Sequence, residues 1–198
     1  MVEDTQPVFT FAYGSNMASS RLGKRCPHSD LSRFDVAKLP GYTLTFDKVS
    51  KDGSGKATIV HDPSENDEVW GVVFMIHQND KKALDRAEGL GSGYHVEAFQ
   101  VVKNDDFKMA AKAYVADPSQ RNSGLRPYDW YKECVVIGAM EHGLPDTYIA
   151  KLRAVSSVVD RNEKRRQENR CYKMGRNSAS QTARVDEENT TVNDGFVP

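Results

Sequence analysis

The chain has 198 residues, 38% of them hydrophobic, with a formal net charge of -1 and a pI of about 6.5. That length suits one domain of roughly 100–200 residues. The charge balance argues against a general nucleic-acid binder, which is usually clearly basic, and no apolar run approaches the roughly 18 residues of a membrane helix.

The first residues, Met1-Val2-Glu3-Asp4-Thr5-Gln6-Pro7, are acidic and polar where a secretory signal is basic and then apolar. Phe9 to Tyr13 follows, alternating aromatic with small residues, and reads as a strand. It stops at Tyr13-Gly14-Ser15-Asn16 and leads into a predicted helix, Met17 to Cys26. Gly14 permits backbone geometry that other residues resist, and Ser15 or Asn16 is expected to cap the helix. A strand–turn–helix junction of this kind turns several backbone N–H groups outward, ready for a carboxylate or phosphate.

Further strands are expected at Tyr42–Phe46, Ala57–His61, Val69–Ile76, Tyr94–Lys103 and Met109–Val115, separated by turn-rich stretches such as Lys51-Asp52-Gly53-Ser54-Gly55-Lys56. Spacing this short favours antiparallel pairing over βαβ units. Helices are expected at Asp80–Glu88, Asp129–Glu141 and Asp146–Val155. In the first of these Asp80 is the expected cap, and Ala83, Leu84 and Ala87 form the apolar stripe. Glu88 lies four residues after Leu84, at the edge of that stripe and at the helix C-terminus. Partial burial and the negative helix end both disfavour its ionised form, and that setting fits a group passing protons near neutral pH.

The composition changes near Ser156. Arg161–Arg176 holds seven basic and two acidic residues, and the polar stretch to Pro198 is too poor in apolar groups to offset ordering entropy. Residues 1–155 therefore read as the domain, and 156–198 as a basic helix followed by a disordered polar tail. Cys26, Cys134 and Cys171 are odd in number and far apart, with no CxxC, so no disulfide framework is expected and a reduced, cytoplasmic protein is the simplest reading. Cys134, in an apolar run, is expected to be inert core packing. The five histidines show no HExxH or paired-ligand spacing, which speaks against a metal site. No GxSxG surrounds Ser15, and there is no P-loop or dinucleotide fingerprint.

Phe11-Ala12-Tyr13-Gly14-Ser15-Asn16, Asp67-Glu68-Val69-Trp70-Gly71-Val72-Val73, Glu88-Gly89 with Ser92-Gly93-Tyr94, Tyr131-Lys132, and Gly138 to Pro145 with Tyr148 and Leu152 occur in that order. Together they resemble the gamma-glutamylcyclotransferase family over roughly residues 8–153. Asn16 and the Gly143-Leu144-Pro145 block are similar to the gamma-glutamyl-amino-acid type. The glutathione-specific type tends to have Tyr-Gly-Ser-Leu and the gamma-glutamylamine type Tyr-Gly-Thr-Leu. The resemblance implies an α+β fold, a small mixed β-barrel or sheet with flanking helices. It also implies an intramolecular cyclisation of gamma-glutamyl-amino acids to 5-oxoproline plus a free amino acid, within gamma-glutamyl and glutathione metabolism.

On this resemblance Glu88 is the catalytic residue, while Thr10, Phe11, Ala12, Tyr13, Gly14, Ser15, Asn16 and Tyr131 bind substrate. No cofactor or metal is needed, the partner is a small gamma-glutamyl molecule, and a homodimer is compatible with the family. Thr10 stands where the family often has tyrosine, and Tyr94 reads equally well as packing. The alternatives are a glutathione-specific or gamma-glutamylamine enzyme, or a non-catalytic binding module on the same fold using the loop cavity or the basic segment.

Overall fold

The structure is a computed structural model that describes residues 6–91 and 93–172. In chain order its strands and helices are β1 (Val8–Ala12), α1 (Ser19–Arg25), β2 (Phe34–Pro40), β3 (Tyr42–Val49), β4 (Gly55–His61), β5 (Glu68–Ile76), α2 (Gln78–Glu88), β6 (Tyr94–Lys103), β7 (Lys108–Ala116), α3 (Asp129–Glu141), α4 (Asp146–Ala154) and α5 (Glu163–Asn169). A 3-10 turn, Ser15–Met17, joins β1 to α1.

Five strands close into a barrel in the order β1-β5-β2-β6-β7, while β3 and β4 form a separate hairpin. The ladders are antiparallel except at the seam, where β1 meets β7 in parallel through Thr10 and Lys112. Closure removes the open edges that a short sheet would present to other chains. Strand β5 pairs on both sides, and its Val69, Val72, Val73, Phe74 and Ile76 are all buried, which is why it reads as a nearly continuous apolar run. Gly71 lies within that run. A β-carbon there would lie 2.5 Å from the Ala12 carbonyl oxygen and 2.7 Å from the Phe11 ring, so the glycine lets β1 and its aromatic side chain close down on β5.

The expected α+β barrel with flanking helices is therefore the observed fold. One strand, β2, was not legible in the sequence. Ala37 and Leu39 point inward, but Phe34 and Val36 on the other face are also apolar and Asp35 and Lys38 interrupt the run, so no alternation shows. Helix α3 buries Trp130, Tyr131, Cys134, Val135, Val136, Gly138 and Ala139, and α4 folds back on it after Gly143, whose φ of 69° suits only glycine comfortably. Among the described residues no helix is long and apolar enough to cross a membrane.

Three local expectations are corrected. Neither Ser15 nor Asn16 caps α1, whose N-cap is Ala18 without a side-chain bond. The side-chain cap of α2 is His77, which accepts from the Asn79 amide. Asp80 is instead buried, accepting from the His28 amide at 3.0 Å and the Ser29 hydroxyl at 2.6 Å, and so it fastens the loop after α1 to α2. The third correction concerns the cysteines. Cys134 and Cys171 are joined in a disulfide, leaving Cys26 as the free thiol. The inference from three free thiols to a reducing compartment loses its premise.

The segment after α4 lies along α3. Trp130 Nε1 donates to Asp160 at 2.9 Å, and Arg165 donates to both oxygens of the same buried carboxylate at 2.6 Å. Arg21 of α1 reaches Asn169 at 3.2 Å, and the Tyr172 amide donates to the Ser20 hydroxyl at 3.3 Å. Arg165, part of the basic run, is thus held within the fold. The remainder of the expected tail, residues 173–198, lies outside the described residues.

Candidate active site

The barrel brings the Tyr13-Gly14-Ser15-Asn16 turn, Ala57 of β4, Glu88 of α2, Tyr94 of β6, Tyr114 of β7 and Tyr131 of α3 to one pocket, whose floor also includes Phe11 and Ala12. Gly14 has φ -111° and ψ -147°, so an unusual backbone conformation is not what the position demands. Space is the requirement: a β-carbon there would lie 3.0 Å from Ala57 Cβ and 3.4 Å from the Tyr131 hydroxyl. The same logic sets α3 against the turn. A β-carbon on Gly138 would lie 2.5 Å from Met17 Cβ and closer still to the Met17 carbonyl carbon and the Ala18 nitrogen.

The amides of Met17 and Ala18 are engaged inside the turn, donating to the Gly14 and Ser15 carbonyls at 3.0 and 3.3 Å. Those of Gly14, Ser15 and Asn16 have no partner among the described residues. Three donors in succession on a turn make a concavity suited to a negative oxygen.

Glu88, the last residue of α2, lines the same pocket. Gly89 follows in the left-handed conformation (φ 66°, ψ 43°), and the bonds Gly89 N to Arg86 O (3.1 Å) and Leu90 N to Asp85 O (2.9 Å) end the helix as a Schellman motif. Leu84 is fully buried as expected, whereas Ala87 is exposed. The helix is held to the barrel by the Tyr114 hydroxyl, which donates to Asp85 at 2.6 Å. The Glu88 side chain is 17% exposed and is not in a purely apolar setting: Arg25 forms an ion pair with it and Asn16 Nδ2 donates to it at 2.8 Å.

The tyrosines divide into structural and available hydroxyls. Tyr13 donates to the Tyr114 carbonyl, and Tyr94 donates to the Ala57 carbonyl at 2.8 Å. Tyr131 accepts from the Ala57 amide at 3.1 Å, with Ser15 within hydrogen-bonding reach. Burial raises all three phenols, so they remain protonated donors. Burial likewise pushes the Cys26 thiol up to about 12, which makes it a poor nucleophile near neutral pH. Among the described residues no cluster of His, Cys, Asp or Glu could hold a metal ion. A separate groove lined by Lys132, Val136, Ile137 and Met140 lies on the outer side of α3, away from this pocket.

Of the residues expected at the site, Phe11, Ala12, Tyr13, Gly14, Ser15, Asn16, Glu88 and Tyr131 meet in the pocket. Thr10 is not among its walls; its hydroxyl turns to the Val8 carbonyl at 3.5 Å. Arg25, Ala57 and Tyr114 were missed. Arg25 looks from sequence like an ordinary basic residue at a helix C-terminus, and the other two reach the pocket only through strand pairing.

A small closed barrel whose turn residues and a single carboxylate line one pocket is the architecture of the class of protein these features point to. The comparisons agree. Residues 68–152 match the model of the AIG2-like family. A gamma-glutamylcyclotransferase from Homo sapiens is 33% identical over 158 residues, covering 77% of this chain and 80% of the relative, and one from Bos taurus is 31% identical over 159 residues, covering 77% and 81%. A solved structure described as a gamma-glutamyl cyclotransferase is similar with a TM-score of 0.70 at 30% identity, covering 82% of this chain and 99% of the other. The chain belongs to the gamma-glutamylcyclotransferase family.

Proposed function

We propose that this cyclotransferase converts gamma-glutamyl-amino acids to 5-oxoproline and a free amino acid, with Glu88 as the proton-transfer group. The observation that carries the reading is that Glu88 lines one narrow pocket together with Gly14, Ser15 and Asn16, whose amides have no partner among the described residues. The substrate's α-amine attacks its own γ-carbonyl carbon, forming the ring C–N bond. Glu88 takes a proton from that nitrogen, the γ-oxygen gathers negative charge against the turn amides, and the bond to the leaving amine breaks as Glu88 returns the proton to it. Nothing is oxidised or reduced and no covalent enzyme intermediate forms.

Because nucleophile and electrophile share one molecule, most of the acceleration comes from orientation, worth up to roughly 7–11 kcal/mol in favourable cases. Proton transfer adds about 10²–10⁴-fold. Tyr131, whose oxygen already accepts from Ala57, keeps its own proton to donate to the substrate. An amino acid as leaving group is supported at the rim of the site by Lys48. Its ammonium lies 4.8 Å over the Tyr94 ring, within the field of Glu88, and has no carboxylate partner among the described residues.

The test is 5-oxoproline release from gamma-glutamyl-alanine, glutathione and gamma-glutamyl-lysine, each against Glu88→Gln. Release mainly from the first, lost by at least about 10²-fold in the variant, is expected. Near-normal release by Glu88→Gln would remove Glu88 from the mechanism, and a preference for either other substrate would move the specificity.

A further inference from the structure

The Glu88 carboxylate is held asymmetrically. Its Oε1 accepts from both Arg25 Nη1 and Asn16 Nδ2, the latter at 2.8 Å. Arg25 Nη1 also donates to Asn16 Oδ1 at 2.7 Å. The three side chains therefore close a ring in which each is fixed by the other two. Only one amide orientation serves both neighbours: a flipped Asn16 would set oxygen against carboxylate and nitrogen against guanidinium. Oε2 has no partner among the described residues.

A glutamate's terminal torsion is broad and roughly two-fold, so an unrestrained carboxylate presents either oxygen. A proton relay between two nitrogen atoms of one substrate needs a single oxygen at a fixed place, because misplacement by about 1 Å can cost roughly 10²-fold. We propose that Arg25 is a positioning residue for the cyclisation: together with Asn16 it clamps Oε1 and leaves Oε2 as the oxygen that takes up and returns the proton. This rests on Glu88 being the proton-transfer group.

Position supports the role. Arg25 is the last residue of α1, which begins two residues after the 3-10 turn, so one short piece of chain supplies the free amides, the Asn16 amide group and the guanidinium. Its side chain is 20% exposed, and solvent screening of the pair is therefore limited. Other charges face Glu88 without touching it. Arg21 on α1 and Lys48 on β3 are within its field, and Tyr13, Tyr94, Tyr114 and Tyr131 surround it with phenols that burial keeps neutral. Arg25 is the one cation in contact with the carboxylate among the described residues.

Steady-state kcat and KM for 5-oxoproline release from gamma-glutamyl-alanine, measured for wild type, Glu88→Gln, Arg25→Met and Arg25→Lys, test the inference. In Arg25→Met kcat should fall by about 10²-fold with KM changed by less than about threefold. Arg25→Lys should recover part of kcat, since an ammonium keeps the charge but lacks the planar fork. Circular dichroism checks folding, and if Arg25→Met does not fold, the kcat and KM of Arg25→Lys still decide.

A rise in KM with kcat unchanged would overturn the inference in favour of Arg25 anchoring the substrate carboxylate. A wild-type kcat in Arg25→Met would overturn it outright. Inactive wild type, or an active Glu88→Gln, would instead overturn the Glu88 reading, and the Arg25 role with it.

Discussion

Two glycine-to-alanine changes in helices should shift stability in opposite directions. Gly23 lies inside α1, and a β-carbon there meets only Leu31 Cδ1 at an ordinary 3.7 Å. Its replacement removes the entropy cost of a helical glycine, about 0.5–1 kcal/mol. Gly138 lies inside α3, where the new carbon would lie 2.5 Å from Met17 Cβ and closer to backbone atoms of Met17 and Ala18. Backbone cannot rotate aside, so α3 and the turn must separate by about 1 Å to restore contacts near 3.5 Å. Overpacking of this kind costs about 1–3 kcal/mol, against the same propensity gain of up to about 1 kcal/mol.

For a chain of this size 1 kcal/mol moves Tm by about 2–4 °C. Gly23→Ala should therefore raise Tm by about 1–4 °C, and Gly138→Ala should lower it by up to about 10 °C. Since the same separation displaces Tyr131 from the turn amides, kcat/KM should fall by about 10²-fold in Gly138→Ala alone. Differential scanning calorimetry and 5-oxoproline release on both variants provide the check. Equal gains in Tm with undiminished kcat/KM would refute the claim that backbone contact between α3 and the turn sets the site.

Gly14→Val should reduce kcat/KM by about 10²-fold or more, because its side chain enters the space between Ala57 and Tyr131. Ser15→Ala should cost about tenfold, the scale of one hydrogen bond; an equal loss in the two would show that side chains and not amides do the recognising. Asp160 gives an acid-labile contact, since Arg165 holds its carboxyl well below the usual range. Its folded value is depressed, so the stabilisation is complete above the unfolded carboxylate value of about 4 and is lost as pH falls below it. Denaturant midpoints between pH 7 and pH 3 should fall more steeply for wild type than for Asp160→Asn, and parallel curves would remove Asp160 from the acid response.

What could be read from the chain was what is local. Tyr13 to Asn16 and Glu88-Gly89 are contiguous signals in which strand periodicity, a turn and a helix end occur side by side, and β6 and α3 match their expected bounds, Tyr94–Lys103 and Asp129–Glu141. Contacts between distant segments were not legible. Ala57 reaches the pocket because the hairpin sets its amide on Tyr131, 74 positions away, and Tyr114 because β7 pairs with β6. The Cys134–Cys171 bond was hidden by parity: with three cysteines, any pairing leaves one over, and a separation of 37 resembles no common motif. Asp80 misled because an acidic residue at a helix start is usually a cap, whereas here the incoming loop at His28 and Ser29 claims its oxygens.

In the proposed mechanism Asn16 is the position where recognition and proton transfer meet. Its backbone amide belongs to the turn, and its side chain reaches across 72 positions to the carboxylate. Gly14 and Gly138 are constrained by the close approaches a β-carbon would meet, whereas Asn16 is constrained by the bonds its side chain makes. A leucine there, as in the Tyr-Gly-Ser-Leu turn that the glutathione-specific type resembles, would keep the N–H donor yet lose both side-chain bonds, to Glu88 and from Arg25. Arg25 would then hold Oε1 alone, and the carboxylate would regain rotational freedom about its terminal torsion. In the proposed mechanism, then, Asn16 distinguishes this turn by how it orients the proton carrier.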